Sequence, residues 1–326
     1  MIRGFTFERA LSWPFNAPHV ATFPWLFGLA YAALFLAVFG VIGFLAAGDM
    51  TAWISTVERI EGSTDPDEEF AAIMASFARL LPWAAVSGLV SWIIWAMFET
   101  ASQRRYIRGE GFSLGFGADE LRMMVVGLFY GLIGFVVVAI PMFLVVGSTF
   151  WSIFANINNP DVLNSPEFSN RAAMQMLGAF GVTLVMLPVY VFLATRLAPC
   201  FGLTLKEKRI RFFDAWNVSR GRFWPILGAY VILAVVGSLI GQVISGVAQL
   251  VLMPAMSTFS NAAERGEDIR SLIFSAGFMV PMGFYMFVAL FLQGLLQHVV
   301  GGPAALAVRH DPRGGVEEAE QVGAFD

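Results

Sequence analysis

The chain has 326 residues, and only 13% are Asp, Glu, Lys or Arg, about half the share of a soluble domain. With Gly counted and Tyr left out, the apolar share is about 65%, which excludes a soluble globular enzyme, a disordered chain and a disulfide scaffold. A net charge of −4 gives no basic bias toward nucleic acid, and the single thiol, Cys200, makes neither an internal disulfide nor, alone, a zinc site.

The chain opens with Met1-Ile2-Arg3, which is basic. The first apolar run, about 21–47, is too long for the core of a secretory signal and suits a bilayer span. Further runs follow at about 78–100, 123–147, 173–198, 223–250 and 272–302. All six are expected as helices, because lipid offers no partner to unpaired backbone groups. The segments between them alternate in charge. One set, from Arg3 and Arg9 to Arg309 and Arg313, holds 15 basic and 12 acidic residues; the other holds 5 and 12. The basic excess belongs on the cytoplasmic side, so both termini are expected there. The acidic stretch Asp65-Pro66-Asp67-Glu68-Glu69 and the polar loop Asn158-Asn159-Pro160-Asp161 are then expected outside. The expected location is the cell inner (plasma) membrane, with the periplasm outside in a bacterial cell.

These runs point to an all-α integral membrane protein, a single six-span domain over 1–304 built of three helical hairpins, about 1–103, 104–204 and 205–304. A short, flexible cytoplasmic tail is expected over 305–326. The second and third units align at an offset of 97, with Phe116 on Phe213, Ala118 on Ala215 and Gly131 on Gly228, and at the same offset Glu99 falls on Arg196. Their common topology makes them direct repeats, unlike the inverted repeats of many transporters. Each unit opens on a segment expected to form a cytoplasmic interfacial elbow helix. The first is Gly4–Trp13, and the second, Phe112–Arg122, is richer in Gly. The third is Lys206–Pro225, where Ile210, Phe213 and Trp216 recur every three residues and share one helical face. Gly221 is expected to break this helix, and Pro225 suits the first turn of the next. An apolar face with a basic rim lies at a membrane surface.

The stretch Phe213-Asp-Ala-Trp-Asn-Val-Ser-Arg-Gly-Arg-Phe-Trp224 resembles an element of poorly characterised six-span bacterial inner-membrane families. These include the membrane domain fused to some glycerophosphodiester phosphodiesterases. The resemblance covers the layout of the whole chain, with its recognisable residues at about 206–228. It implies an inner-membrane helical bundle with short cytoplasmic elbows and no catalytic residue. A fused hydrolase domain is not expected, since about 23 residues follow Pro303.

Two basic clusters are candidate sites for anionic phospholipid headgroups. One is Arg104, Arg105 and Arg108; the other includes Lys206, Lys208, Arg209, Arg211, Arg220 and Arg222. Phe213 and Trp216 would anchor the elbow. In the competing reading these charges only set topology. Glu99 and Arg196, near the inner ends of returning spans, are placed to pair or to snorkel. Gln242 and Gln249 share a face of span five, and Gln293 and Gln297 share one of span six, followed by His298. They line a substrate cavity or serve as interhelical hydrogen-bond glue. Gln242 is expected toward the outer side and Gln293 toward the inner, hence not in one site. Pro82, Pro141, Pro188 and Pro281 interrupt spans or flank their ends, and Gly127–Gly131 and Gly237–Gly241 are GxxxG faces for packing within the chain or between copies. No HExxH, Walker loop or CxxC is present. The expected function is therefore non-enzymatic, without metal or cofactor: binding of anionic phospholipid at the elbows. The alternatives are a small-molecule or amphiphile transporter and a scaffold subunit of a membrane complex. Membrane lipids are the expected partners, with a second copy or another membrane protein as further ones.

Overall fold

The computed structural model describes residues 4–60, 66–156, 162, 165–265 and 275–311. Among these residues the regular structure is helical throughout. The helices are α1 (Phe7–Asn16), α2 (Phe23–Ile60), α3 (Pro66–Arg108), α4 (Ala118–Gly134), α5 (Ile140–Ala155), α6 (Pro166–Leu197), α7 (Cys200–Glu207), α8 (Ala215–Val218), α9 (Phe223–Glu264) and α10 (Ala276–Arg309). A π turn, Phe135–Ala139, joins α4 to α5. Six segments are long and apolar enough to cross a membrane: Phe23–Thr56, Met74–Arg108, Ala118–Ser148, Pro166–Glu207, Phe223–Asn261 and Ala276–Arg309. They follow the six expected runs in order, and the chain is a multi-pass membrane protein by their length and composition.

Every span outruns its apolar core. The 38 residues of α2 rise roughly 57 Å, well beyond a hydrocarbon layer of about 30 Å. The prolines interrupt less than expected. Pro82, Pro188 and Pro281 sit inside continuous α3, α6 and α10. Only Pro141 coincides with a change of helix type. It has no N–H to give, and just before it the Ile140 N–H reaches back five residues to Phe135 O.

The last helix, α10, is the hub. It packs on α9, α2, α3 and α1, and more lightly on α7. α3 carries the packing on to α2, α4 and α7, and α6 lies on α4 and α5 but touches α9 only sparsely. α1 lies against α9 and α10, where Gly302 leaves room for Pro14 and Gly228 for the Phe7 ring. Buried side chains gather at the end of the bundle that carries α1. Phe23, Phe27, Phe98, Tyr106, Leu203 and Ile226 are all inaccessible there. Toward the opposite end Phe44, Phe143 and Trp151 are exposed, as expected where lipid takes the place of a protein core.

The segments expected as elbow helices diverge. The first contains α1, with the Thr6 hydroxyl accepting from the Arg9 N–H at 3.3 Å. In the second no helix forms before Ala118. Gly109 takes φ +67°, the chain reaches Gly117 without regular structure, and Glu120 Oε2 accepts the Gly117 N–H at 2.8 Å to start α4. Glycine-rich chain has too little to gain from a helix at that point. The third splits into α7 and α8, because Lys208 turns left-handed (φ +54°) and ends α7. Only Trp216 of the expected face lies in α8, so Ile210, Phe213 and Trp216 do not share one helix. Gly221 does break the chain, at φ +76°, and Pro225 falls in the first turn of α9.

At the C-terminal side, α10 continues through 305–309 and Ala304–Val308 are buried, so these residues belong to the bundle. Residues 312–326 of the expected tail, the loop Asn158–Asp161 and Asp65 lie outside the described residues, while Pro66–Glu69 open α3.

Candidate functional site

Two polar clusters form where α3 meets α10, on neighbouring faces of both helices. In a helix, residues three and four apart stack on one face. Ser102, Arg105 and Tyr106 therefore share one side of α3, and Glu99 and Gln103 another. On α10 the adjacent residues Gln297 and His298 serve one cluster each.

The first cluster is closed. His298 is fully buried between the rings of Phe23, Phe27 and Tyr106 and stacks on Tyr106 at 4.8 Å. Its Nε2 faces Arg105 Nη1, and its Nδ1 lies 2.7 Å from Ser102 Oγ. Arginine only donates, so Nε2 accepts and Nδ1–H donates to Ser102. The Tyr106 hydroxyl donates to His298 O at 2.8 Å. Arg105, also fully buried, donates from Nε to Pro18 O (2.7 Å) and from Nη2 to Ala17 O (3.1 Å) and Pro14 O (3.2 Å). These carbonyls end α1 and the turn after it, where no helical donor follows, and a cation suits the negative end of a helix.

The second cluster is open. Glu99 Oε1 accepts from Gln103 Nε2 at 2.9 Å, and Oε2 accepts a longer bond, 3.4 Å, from Gln297 Nε2. Both Glu99 and Gln103 are buried, and Gln103 Oε1 has no hydrogen-bond partner among the described residues. The amide orientation is fixed by Glu99, since the flipped amide would set two oxygens against each other. Among the described residues no cation lies within ion-pair distance of Glu99. Arg196, the expected partner, instead donates to Ser219 O at 3.1 Å and lies over the rings of Phe192, Trp216 and Phe223.

Glu99, Gln103, Gln293 and Gln297 line a cavity of about 880 Å³ bounded by α3, α4, α6, α9 and α10. Its walls include Trp92, Trp95, Tyr130, Tyr190 and Tyr230. The volume is in the upper range of small-molecule sites. The first GxxxG pair serves it unequally. Gly127 makes room for the Trp95 ring, whereas Gly131 faces open space at the cavity wall. In the second pair Gly237 admits Leu296, and Gly241 is open. A neighbouring groove of about 550 Å³ between α9 and α10 is lined by both Gln242 and Gln293. Their expected separation is therefore corrected. Gln242 lies 19 residues after Phe223 and Gln293 lies 16 before Arg309, roughly 28 and 24 Å from one end of the bundle. Counting depth from residue 302 had hidden this, because the helix runs on to Arg309.

Most of the basic residues are spent inside the protein. Arg104 pairs with Glu120 (2.8 Å) and Asp119 (3.5 Å), and Arg108 and Arg122 each reach Asp119 at 2.9 Å. Arg211 pairs with Glu207 and Asp214, and these carboxylates raise its pKa above the ordinary value. Arg222 donates to Ala307 O at 3.0 Å and to His310 O at the end of α10, and burial lowers its pKa. Arg105 and Arg222 thus cap helix ends instead of facing headgroups. Lys208, Arg209 and Arg220 are exposed and have no partner among the described residues. Beside them in sequence Phe213 and Trp224 are 78% and 76% exposed.

The sequence had singled out Glu99, Gln293, Gln297 and His298. It missed Gln103 and the aromatic walls. The signal for Gln103 was its place four residues after Glu99 on a helix. Among the described residues no group of three His, Cys, Asp or Glu side chains is placed to hold a metal ion. Comparisons with protein-family models, curated proteins and solved structures gave no match.

Proposed function

We propose that this membrane protein binds an amphiphile in the cavity between α3, α4, α6, α9 and α10, as the binding element of a transporter or carrier. One observation carries the reading: an aromatic-walled space within a membrane bundle ends on the Glu99 carboxylate, which receives two amide donors for about four lone-pair positions and has no cation within ion-pair distance among the described residues. In this reading the six helices form three hairpins, the α1 end faces the cytoplasm of the inner membrane, and the activity is non-enzymatic. The apolar body of the ligand lies along the aromatic walls, and its polar group meets Glu99, Gln103 and Gln297.

Gly131→Leu tests this. A Cβ at Gly131 meets nothing within 4 Å and stands at the cavity wall, so a larger side chain there projects into the site. Native mass spectrometry of the purified protein is expected to show a small amphiphile retained by the wild type and lost from Gly131→Leu. Equal retention by both proteins overturns the reading.

A second reading keeps anionic phospholipid at the third elbow. Exposed Lys208, Arg209 and Arg220 near exposed Phe213 and Trp224 favour it, since cations beside apolar side chains suit a headgroup layer.

A further inference from the structure

We infer that the polar end of this cavity selects an ammonium group, so that its ligand is an amine-bearing amphiphile. The inference rests on the reading of the cavity as a binding site and adds the class of ligand. It comes from counting donors and acceptors. The Glu99 carboxylate has about four lone-pair positions and receives two amide N–H groups. Gln103 Oε1 receives none, but it is shut off from the cavity and faces Gly202 of α7, so the acceptors the cavity offers are those of Glu99. Three nearby donors are committed elsewhere. Arg105 donates to three backbone carbonyls and His298, Arg196 donates to Ser219 O, and the Tyr130 hydroxyl donates to Ala194 O at 3.0 Å. Glu99 therefore keeps surplus acceptor positions and a formal negative charge, with no cation within ion-pair distance among the described residues.

An anionic group would add acceptors and charge of the wrong sign. A hydroxyl would satisfy one acceptor and leave the charge unpaired. An ammonium group carries three donors, no acceptor and one positive charge, so it matches both deficits. The walls agree with this choice, because the faces of Trp and Tyr rings attract cations. Gly301 is part of the same construction. A Cβ there would lie 3.3 Å from Gln103 Nε2 and 3.8 Å from Glu99 Oε1, so its absence leaves space around both polar groups.

The ammonium group has two sources: a free amine, or the headgroup of an aminophospholipid. The test uses the full chain in phosphatidylcholine nanodiscs, with octylammonium, octanol and octanoate titrated by calorimetry against empty discs. Octylammonium is expected to bind at least tenfold more tightly than either analogue. Glu99→Gln is expected to lower octylammonium affinity at least tenfold and to leave octanol unchanged. Gly301→Ala, whose added Cβ would stand 3.8 Å from Glu99 Oε1 and crowd the polar groups, is expected to weaken octylammonium severalfold and carries the test if Glu99→Gln does not fold. Equal affinities for the three compounds, or octylammonium binding unchanged in both variants, overturn the ammonium assignment. The cavity reading fails separately, if Gly131→Leu leaves the binding of all three compounds unchanged. Replacing part of the phosphatidylcholine by phosphatidylethanolamine distinguishes the sources. Lowered octylammonium affinity assigns the site to a lipid headgroup, and unchanged affinity assigns it to a free amine.

Discussion

Ser102 and Gln103 are neighbours in α3, and Gln297 and His298 are neighbours in α10, yet each pair is divided between two different kinds of polar cluster. On one face Arg105, His298, Ser102 and Tyr106 satisfy one another and the carbonyls that end α1. On the other, among the described residues, Glu99 has no cation within reach and Gln103 Oε1 no donor. Both clusters are buried, and both contain an ionisable group. Burial and polarity therefore do not mark a binding site by themselves. Unfilled hydrogen-bonding capacity beside open volume does, since a polar group left unmatched in an apolar interior costs about 1–3 kcal/mol and gains as much from a ligand that matches it.

Mutation should separate the two clusters by opposite effects on stability and binding. Arg105→Ala is expected to have the largest effect. It strands three backbone carbonyls and His298, and should lower stability by about 3–5 kcal/mol, seen as a sharp fall in the thermal midpoint of the detergent-purified protein. His298→Leu comes next, at about 1–3 kcal/mol, because it removes the acceptor for Arg105 Nη1 and the partner of Ser102. Glu99→Gln should reverse the sign. The new amide keeps an oxygen for Gln103 Nε2 and, once the Gln297 amide turns over, donates to its oxygen; it also removes an uncompensated charge, so the thermal midpoint should hold or rise, by up to about 1 kcal/mol, while ammonium affinity falls at least tenfold. If Glu99→Gln destabilised the protein as much as His298→Leu, the contrast between the clusters would collapse. The smallest stability effect, within about 0.5 kcal/mol, is expected for Lys208→Gln, Arg209→Gln and Arg220→Gln combined. The same triple variant should bind anionic vesicles more weakly by about 1 kcal/mol per removed charge if the third elbow contacts headgroups, which flotation with liposomes measures.

Hydropathy alone located the six spans, because a run of about 20 apolar residues has few other uses. It did not locate their ends. Segments such as Gly48–Thr56 are less apolar but contain nothing that stops a helix once it has begun. Spacing over seven residues suggested a helical face at Ile210, Phe213 and Trp216, but so short a segment cannot hold a helix against the left-handed turn at Lys208. The arginines were legible as a basic cluster, but their acceptors were not. Those of Arg105 are main-chain carbonyls 87 to 91 residues away, and no side chain announces an orphaned carbonyl. Glu99 stood out as an ionisable residue within a span. Its surroundings did not, since the aromatic walls of the cavity come from α3, α4, α6 and α9, and only their packing brings them together.

The position of α10 at the centre of the bundle also dictates an order of events. It is made after every other helix described here, and α1, α2, α3 and α9 all pack on it. A chain emerging from the ribosome folds its earlier parts first, but contacts between distant segments wait until both partners exist. Before α10 arrives, α1 has only part of its resting place, Arg105 has no His298 to meet, and the space beside Glu99 is missing a wall. The earliest helix of the chain thus reaches its final contacts only after the latest one has entered the membrane.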